Sequence, residues 1–172
     1  MKRKFPETIE VVIEIPKGSR NKYEMDPKTG RIYLDRVLFS TVFYPTDYGF
    51  IPNTISKDGD CLDAMVIVSE PLFPGCFVKA RPIGILIMDD EKGKDEKIIA
   101  VAKSDPRLKN VKDISDLGDH LKREIKNFFE TYKRLEKKPV NVRCWLNRKR
   151  ALRRITSARE KWQKASSELR SI

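Results

Sequence analysis

Thr8-Ile-Glu-Val-Val-Ile-Glu-Ile-Pro16 decides the reading of the fold. Ile9, Val11, Ile13 and Ile15 recur at every second position, so an extended chain turns them to one face and Glu10 and Glu14 to the other, the pattern of a half-buried strand. Outward from it, strand-like runs lie near 31–38, 42–44, 62–68, 76–88, 97–102 and 140–146. Asp26-Pro27, Lys57-Asp58-Gly59 and Phe73-Pro74-Gly75 punctuate them as turns. Leu117, Leu121, Ile125, Phe128, Tyr132 and Leu135 then recur at three- and four-residue steps, as on a helix with one apolar face. Leu152, Ile155, Trp162 and Leu169 repeat that spacing toward the C-terminus, which predicts Arg150, Arg153, Arg154 and Lys161 on the solvated side. The chain reads as mainly β (α+β): a closed or nearly closed antiparallel barrel with two helices packed on it, and without internal repeats.

With 172 residues, the chain is long enough for one domain with a real core and short for two, so 1–172 is expected to be a single domain that ends in a basic helix at about 148–170. Hydrophobic residues at 40% and charged residues at 35% exclude general disorder. No apolar run approaches the roughly 20 residues a membrane helix needs, and Met1-Lys2-Arg3-Lys4 leads into alternation instead of a signal-peptide core. Cys61, Cys76 and Cys144 are odd in number and widely spaced, which gives neither a disulfide framework nor a CxxC pair. A cytoplasmic protein without membrane contact is expected. Of the net charge of +11, residues 147–172 carry +7, with nine basic residues against Glu160 and Glu168. Such a tail admits nucleic acid as a partner, although a solvated helix face is the plainer reading.

Chemistry concentrates in two acidic segments. Asp58-Gly-Asp60-Cys-Leu-Asp63 has three carboxylates within six residues at the entrance to an apolar strand. Side chains two apart on extended chain point the same way about 7 Å apart, so these hard oxygen donors can hold one divalent cation or flank a pair. An Asp-Gly turn is the bland alternative, and an EF-hand is excluded by Gly59 and Ser69 at the second and twelfth loop positions. Asp89-Asp90-Glu91, followed by Asp95, closes the run 76–88 and by itself reads as a solvated hairpin tip. Two such clusters in one small barrel favour a site, because gathered carboxylates repel unless cations neutralise them. Hard donors suit Mg²⁺ better than zinc, and His120 is the only histidine. Lys22, Arg36, Lys97 and Lys133, with Tyr44, Tyr48 and Tyr132, alternate with the acids along the chain. Singly they read as surface ion pairs and core phenols; together they suit a polyanion carried on metal ions.

At these residues the sequence resembles the family I inorganic pyrophosphatases of bacterial type. The resemblance runs from about Ile9 to Trp145. It rests on Ile13-Glu-Ile-Pro16, Lys22-Tyr-Glu24, Leu34-Asp-Arg36, Phe43-Tyr-Pro-Thr-Asp-Tyr-Gly-Phe-Ile51, Asp58-Gly-Asp-Cys-Leu-Asp63, Arg81-Pro-Ile-Gly84, Asp90 through Lys97 and Phe128-Phe-Glu-Thr-Tyr-Lys133, in that order. It implies a five-stranded OB-type closed barrel with two flanking helices. It also implies Mg²⁺-dependent hydrolysis of pyrophosphate to two orthophosphates by direct in-line attack of a metal-bridged water or hydroxide, with several Mg²⁺ ions in each active site. By the same resemblance, Asp58, Asp63 and Asp95 bind the metals nearest the attacking water, and Asp90 and Glu14 serve ions that arrive with substrate. Asp60 is the general base, Lys22, Arg36, Tyr48, Lys97, Tyr132 and Lys133 grip the phosphoryl groups, and Glu24 completes the acidic cleft.

The chain departs from that family in places. Cys61 stands where the family has proline, most simply as a buried small thiol. The C-terminal helix is more basic than the Ala- and Glu-rich helix of bacterial members. Those members are commonly hexamers, so a homo-oligomer is expected, with a hexamer favoured; Asn127 and Thr131 stand where some members carry interface histidines. A nucleic-acid-binding barrel is the competing reading. It predicts aromatics interleaved with basic residues on strands, whereas the aromatics here cluster in 43–50 and 128–132.

Overall fold

Described here for residues 5–169, the side chain of Leu169 excepted, the structure is a computed structural model. β1 (Ile9–Ile15) forms where the alternation predicts it, with Glu10 and Glu14 half-buried, but its four alternating isoleucine and valine positions do not share one face: Ile9, Val11 and Ile13 enter one core cluster, and an irregularity between Ile13 and Ile15 sends Ile15 to another. β2 (Asn21–Met25) and β3 (Ile32–Val37) make a separate two-stranded ribbon. β4 (Asp47–Ile51), β5 (Leu62–Ile67), β6 (Phe77–Asp90) and β7 (Gly93–Ala102) follow, then α1 (Asp119–Tyr132), β8 (Asn141–Asn147) and α2 (Arg148–Leu169).

Hydrogen bonds join β1-β4-β5-β7-β6, and β6 returns to β1, so five strands close into the expected OB-type ring. The length of β6, 14 residues, makes closure possible: Phe77–Ala80 pair with β1, and Gly84–Asp89 pair with β8 outside the ring. The barrel is not wholly antiparallel, which corrects the expectation, because β5 and β7 run parallel with Ala64 opposite Ile98. Their order in space is inverted relative to the chain, since β6 lies beyond β7 and serves as the crossover between them.

The run 42–44 is also not a strand. Tyr44 makes two isolated bonds, its N–H donating to the Ser19 carbonyl and its own carbonyl accepting from Gly18 N–H, and Pro45 cannot donate to a ladder. The ladder begins instead at Asp47, where β4 crosses β1 so closely that a Cβ on Gly49 would stand 1.8 Å from the Val12 carbonyl oxygen.

One core cluster takes residues from every strand of the ring, including Ile13, Ile51, Val66, Ile87 and Ala100, and adds Ala151, Ile155 and Ala158 of α2. A second uses the opposite faces of β5, β6 and β7 (Met65, Leu86, Met88, Ile99) and packs them on Ile125, Phe128, Phe129 and Tyr132 of α1. Along β6 the first cluster switches from Val78 and Ala80 to Ile85 and Ile87, because an irregularity between Pro82 and Gly84 shifts the strand by one residue.

The helix stripes differ from the predicted ones at their edges. Leu135 is 65% exposed, because α1 ends at Tyr132 and a 3₁₀ turn at Arg134–Glu136 rotates it away. In α2 the tight contact is made by Ala151, Ile155 and Ala158, with Leu152 and Trp162 half-buried; the side chain of Leu169, and Arg170, lie outside the described residues. Small residues allow the helix backbone to lie close to the barrel, where Leu or Trp would hold it off. Arg150, Arg153 and Lys161 are exposed as predicted. Arg154 is not, for it is drawn inward by Glu96. Among the described residues no helix is long and apolar enough to cross a membrane.

Candidate active site

Parallel pairing of β5 and β7 decides where the charged residues meet. Both strands enter the barrel at one end, and β6 finishes there and turns back into β7 with Asp90 opposite Gly93. Asp63 near the start of β5, Asp90 at the end of β6, and Asp95 and Lys97 near the start of β7 therefore reach one rim. Asp95 and Lys97, two apart on a strand, share a face. The buried Lys97 ammonium binds Asp63 Oδ2 and lies 2.7 Å from Asp95 Oδ2. Burial alone would lower this lysine's pKa, but the two carboxylates outweigh it and hold it well above the ordinary value. The ring of Tyr48, on β4, has its centroid 5.6 Å from the same ammonium, and burial followed by the charges of Asp63 and Asp95 raises its phenol.

A second group forms where α1 ends. Lys133 reaches Asp90 at 3.3 Å and Glu91 at 3.1 Å, and its ammonium stands 5.5 Å from the Tyr132 ring centroid. Tyr132 is fixed by stacking on Phe128, 5.1 Å between centroids. Asp89, by contrast, turns to Arg143 on β8.

The ribbon supplies a third group. Lys22 and Arg36 are opposite one another in register. Lys22 binds Glu24 and, at 3.2 Å, Asp35; Arg36 binds Asp35 at 2.5 Å and Glu136 at 3.0 Å. Glu14 lies near both this group and Asp63. Its carboxylate accepts the Met25 N–H at 2.8 Å, yet burial, reinforced by the charges of Asp63 and Glu24, pushes its pKa up to about 7.

Asp58 and Asp60 stand on the exposed turn before β5, where Asp60 N–H donates to Asp58 Oδ1 at 3.2 Å and Gly59 takes a φ of 96°. Asp58, Asp90 and Asp95 line a cavity of about 290 Å³ together with Ser56, Glu96 and Arg154. Glu91, named in the second acidic segment, pairs with Lys133, whereas Asp35, Glu136 and Glu96, which pair with Lys22, Arg36 and Arg154, are not singled out by the sequence. Asp35 could have been found within Leu34-Asp-Arg36; Glu136 is 100 positions from Arg36 in the chain and leaves no local signal.

Among the described residues no three Asp, Glu, His or Cys side chains converge on a single point. The carboxylates of Asp58, Asp90 and Asp95 instead line one cavity, and oxygen donors of this kind fit a hard divalent cation. The donor set is hard oxygen throughout, and the only histidine, His120, lies exposed beside Glu124. Cys61, expected as a buried thiol, is half-buried, and burial raises its thiol pKa.

Residues 11–163 match the family model described as inorganic pyrophosphatase. The inorganic pyrophosphatase of Thermus thermophilus is 52% identical over 155 residues, covering 88% of this chain and 89% of that protein. That of Methanosarcina mazei is 49% identical over 152 residues, covering 88% and 90%. The crystal structure of the Thermus thermophilus inorganic pyrophosphatase superposes with a TM-score of 0.91 at 48% identity, over 94% of each chain. The inorganic pyrophosphatase of Helicobacter pylori superposes with a TM-score of 0.89 at 44% identity, over 95% of this chain and 99% of that one. A match along most of the length, the same closed ring of strands and relatives of about half identity lead to one conclusion: this chain belongs to the inorganic pyrophosphatase family.

Proposed function

We propose that the protein hydrolyses inorganic pyrophosphate to two orthophosphates with Mg²⁺ as cofactor. One observation carries this reading: carboxylates and cations alternate around a single rim, with Lys97 between Asp63 and Asp95, Lys133 on Asp90, and Lys22 and Arg36 on the facing ribbon. Asp58, Asp63, Asp90, Asp95 and Glu14 would hold the Mg²⁺ ions, which when bound screen phosphate charge and lower the pKa of water. Asp60, next to Asp58 on the exposed turn, accepts the proton of the attacking water. The water oxygen forms a bond to one phosphorus, the bond from that phosphorus to the bridging oxygen breaks, and its electron pair leaves with the second phosphate. No residue becomes phosphorylated. Lys22, Arg36, Tyr48, Lys97, Tyr132 and Lys133 orient the two phosphoryl groups and neutralise the departing one. Counterions hold the four basic side chains in position beforehand, so little reorganisation is needed when charge develops. Glu24, bound to Lys22, completes the acidic side of the cleft.

The same reading gives a single catalytic domain that works in the cytoplasm as a homo-oligomer, a hexamer in the first instance. Large apolar side chains left exposed, among them Phe39, Phe73 and Phe77, support association. Phosphate release from pyrophosphate, measured with and without Mg²⁺ beside a phosphate monoester, tests the activity. Release is expected only with Mg²⁺ and chiefly from pyrophosphate, because a monoester fills one of the two phosphate positions. Metal-loaded protein that leaves pyrophosphate intact overturns the reading.

A further inference from the structure

We propose that Arg154, on α2, is a positioning residue that sets the separation of the two walls of the acidic cavity and thereby its affinity for divalent cations. The inference rests on the Mg²⁺-dependent reading above.

Arg154 Nε donates to Glu96 Oε2 at 2.5 Å, and its Nη2 donates to Ser56 Oγ at 3.2 Å. Glu96 directly follows Asp95, so one arm of the guanidinium holds the wall formed by β7. Ser56 N–H donates to the Asp60 carbonyl at 2.7 Å and closes the turn that carries Asp58 and Asp60, so the other arm holds the opposite wall. The Arg154 and Glu96 side chains are only 15% and 12% exposed, which makes this pair better defined than a surface ion pair.

Further bonds tie the same helix to the same segment. Ile55 N–H donates to the Ala158 carbonyl at 3.0 Å, and Arg159 Nη2 donates to the Pro52 carbonyl at 3.2 Å. Segment 52–56 is thus held by α2, while Asp58 and Asp60 just beyond it are exposed. A planar fork that bridges two points at fixed distance is a property of guanidinium that ammonium lacks.

Charge and position predict opposite signs for the loss of this residue. If Arg154 acted only as a positive charge at the cavity, its removal would relieve repulsion and tighten Mg²⁺ binding. If it holds the walls in register, its removal loosens them and weakens binding, as loss of an outer contact that orients metal ligands does.

The test uses the full chain and Mg²⁺ alone, titrated calorimetrically without pyrophosphate, together with amide hydrogen exchange of residues 55–60 in metal-free protein. Arg154→Gln and Arg154→Lys are both expected to raise the Mg²⁺ Kd, by about 10-fold, and to speed exchange in 55–60. Affinity that is unchanged or tighter in both variants overturns the proposal. If either variant fails to fold by circular dichroism, Ser56→Ala leaves the Arg154–Glu96 pair intact and cuts only the tie to the turn. It should weaken Mg²⁺ binding less, in the same direction, and no weakening refutes the bridging role. Wild-type protein that neither binds Mg²⁺ nor hydrolyses pyrophosphate would instead overturn the underlying reading of the site.

Discussion

Lys97 shows how single residues divide the work at the rim. Its buried ammonium occupies Asp63 and Asp95 together, whereas Asp60 stands exposed on the neighbouring turn with its carboxylate outside that pair. Asp60→Asn is therefore expected to bind Mg²⁺ as wild type does while turnover falls by about 10² or more. Asp63→Asn should weaken Mg²⁺ binding as well, because it removes a donor and leaves Lys97 with Asp95 alone. Calorimetry beside steady-state phosphate release separates the two effects, and equal Mg²⁺ affinities in the two variants contradict the assignment. Gly49 makes a purely structural demand, since an added Cβ meets backbone at 1.8 Å and no side-chain rotation can relieve it. Gly49→Ala should cost about 3 kcal/mol or more, at the upper end of overpacking penalties, in denaturant unfolding; an unchanged midpoint would refute the close crossing of β1 and β4.

Elements were legible where a face is buried and illegible where it is not. β1 alternates from Ile9 to Val11 and again around Glu14, with Val12 buried out of phase, and the stretch 76–88 shows as one long run because β6 is buried on both faces from Pro82 to Met88, although Phe77 and Lys79 are exposed. β2, Asn-Lys-Tyr-Glu-Met, buries little and exists through its pairing with β3, so nothing in its composition reveals a strand. Local pattern also carries no information on which strands become neighbours, and the parallel β5–β7 pair that assembles the rim could not be seen. The acids themselves were visible as clusters; their convergence, and the counterions Glu136 and Glu96, depend on contacts between elements distant in the chain. The start of α2 depends on such a contact too. Arg148 N–H donates to Asp113 Oδ2 at 3.0 Å, and Asp113 sits in a short 3₁₀ capping box in which Asp116 accepts N–H bonds from Lys112 and Asp113. Those N–H bonds hold the Asp116 pKa below its ordinary 3.8. A depressed carboxylate contributes stability above its unfolded pKa and loses it as the pH falls through the folded one. Asp116→Ala should thus melt below wild type near pH 6, and the gap should narrow as the pH approaches 3. A gap that widens on acidification has the wrong sign for this linkage.

For the whole molecule, charge and apolar surface lie in different places. The positive excess collects on α2, where Lys149, Arg150, Arg153, Lys161 and Lys164 are exposed, and mutual repulsion makes that face a poor one for self-association. Apolar exposure gathers elsewhere. Tyr33 and Leu34 on β3 are 52% and 55% exposed, and Phe73 and Phe77 are 70% and 66% exposed. These two sets adjoin, because a Cβ at Gly75, in the turn between Phe73 and Phe77, would lie 3.4 Å from Ile32 Cδ1 at the start of β3. The apolar surface at Phe73, Phe77 and the neighbouring start of β3 is costly to leave in water and would suit the seam of the proposed homo-oligomer. Sedimentation or light scattering is expected to give a mass several times 20.0 kDa, with six copies favoured. Phe73→Glu combined with Phe77→Glu should shift the particle toward monomer, because two carboxylates would be buried unpaired in the contact. Neither side chain belongs to the core clusters, so the released protomer should keep its circular dichroism spectrum. Wild-type protein that sediments as a monomer at micromolar concentration, or a double variant that stays fully assembled, removes this surface as the seam.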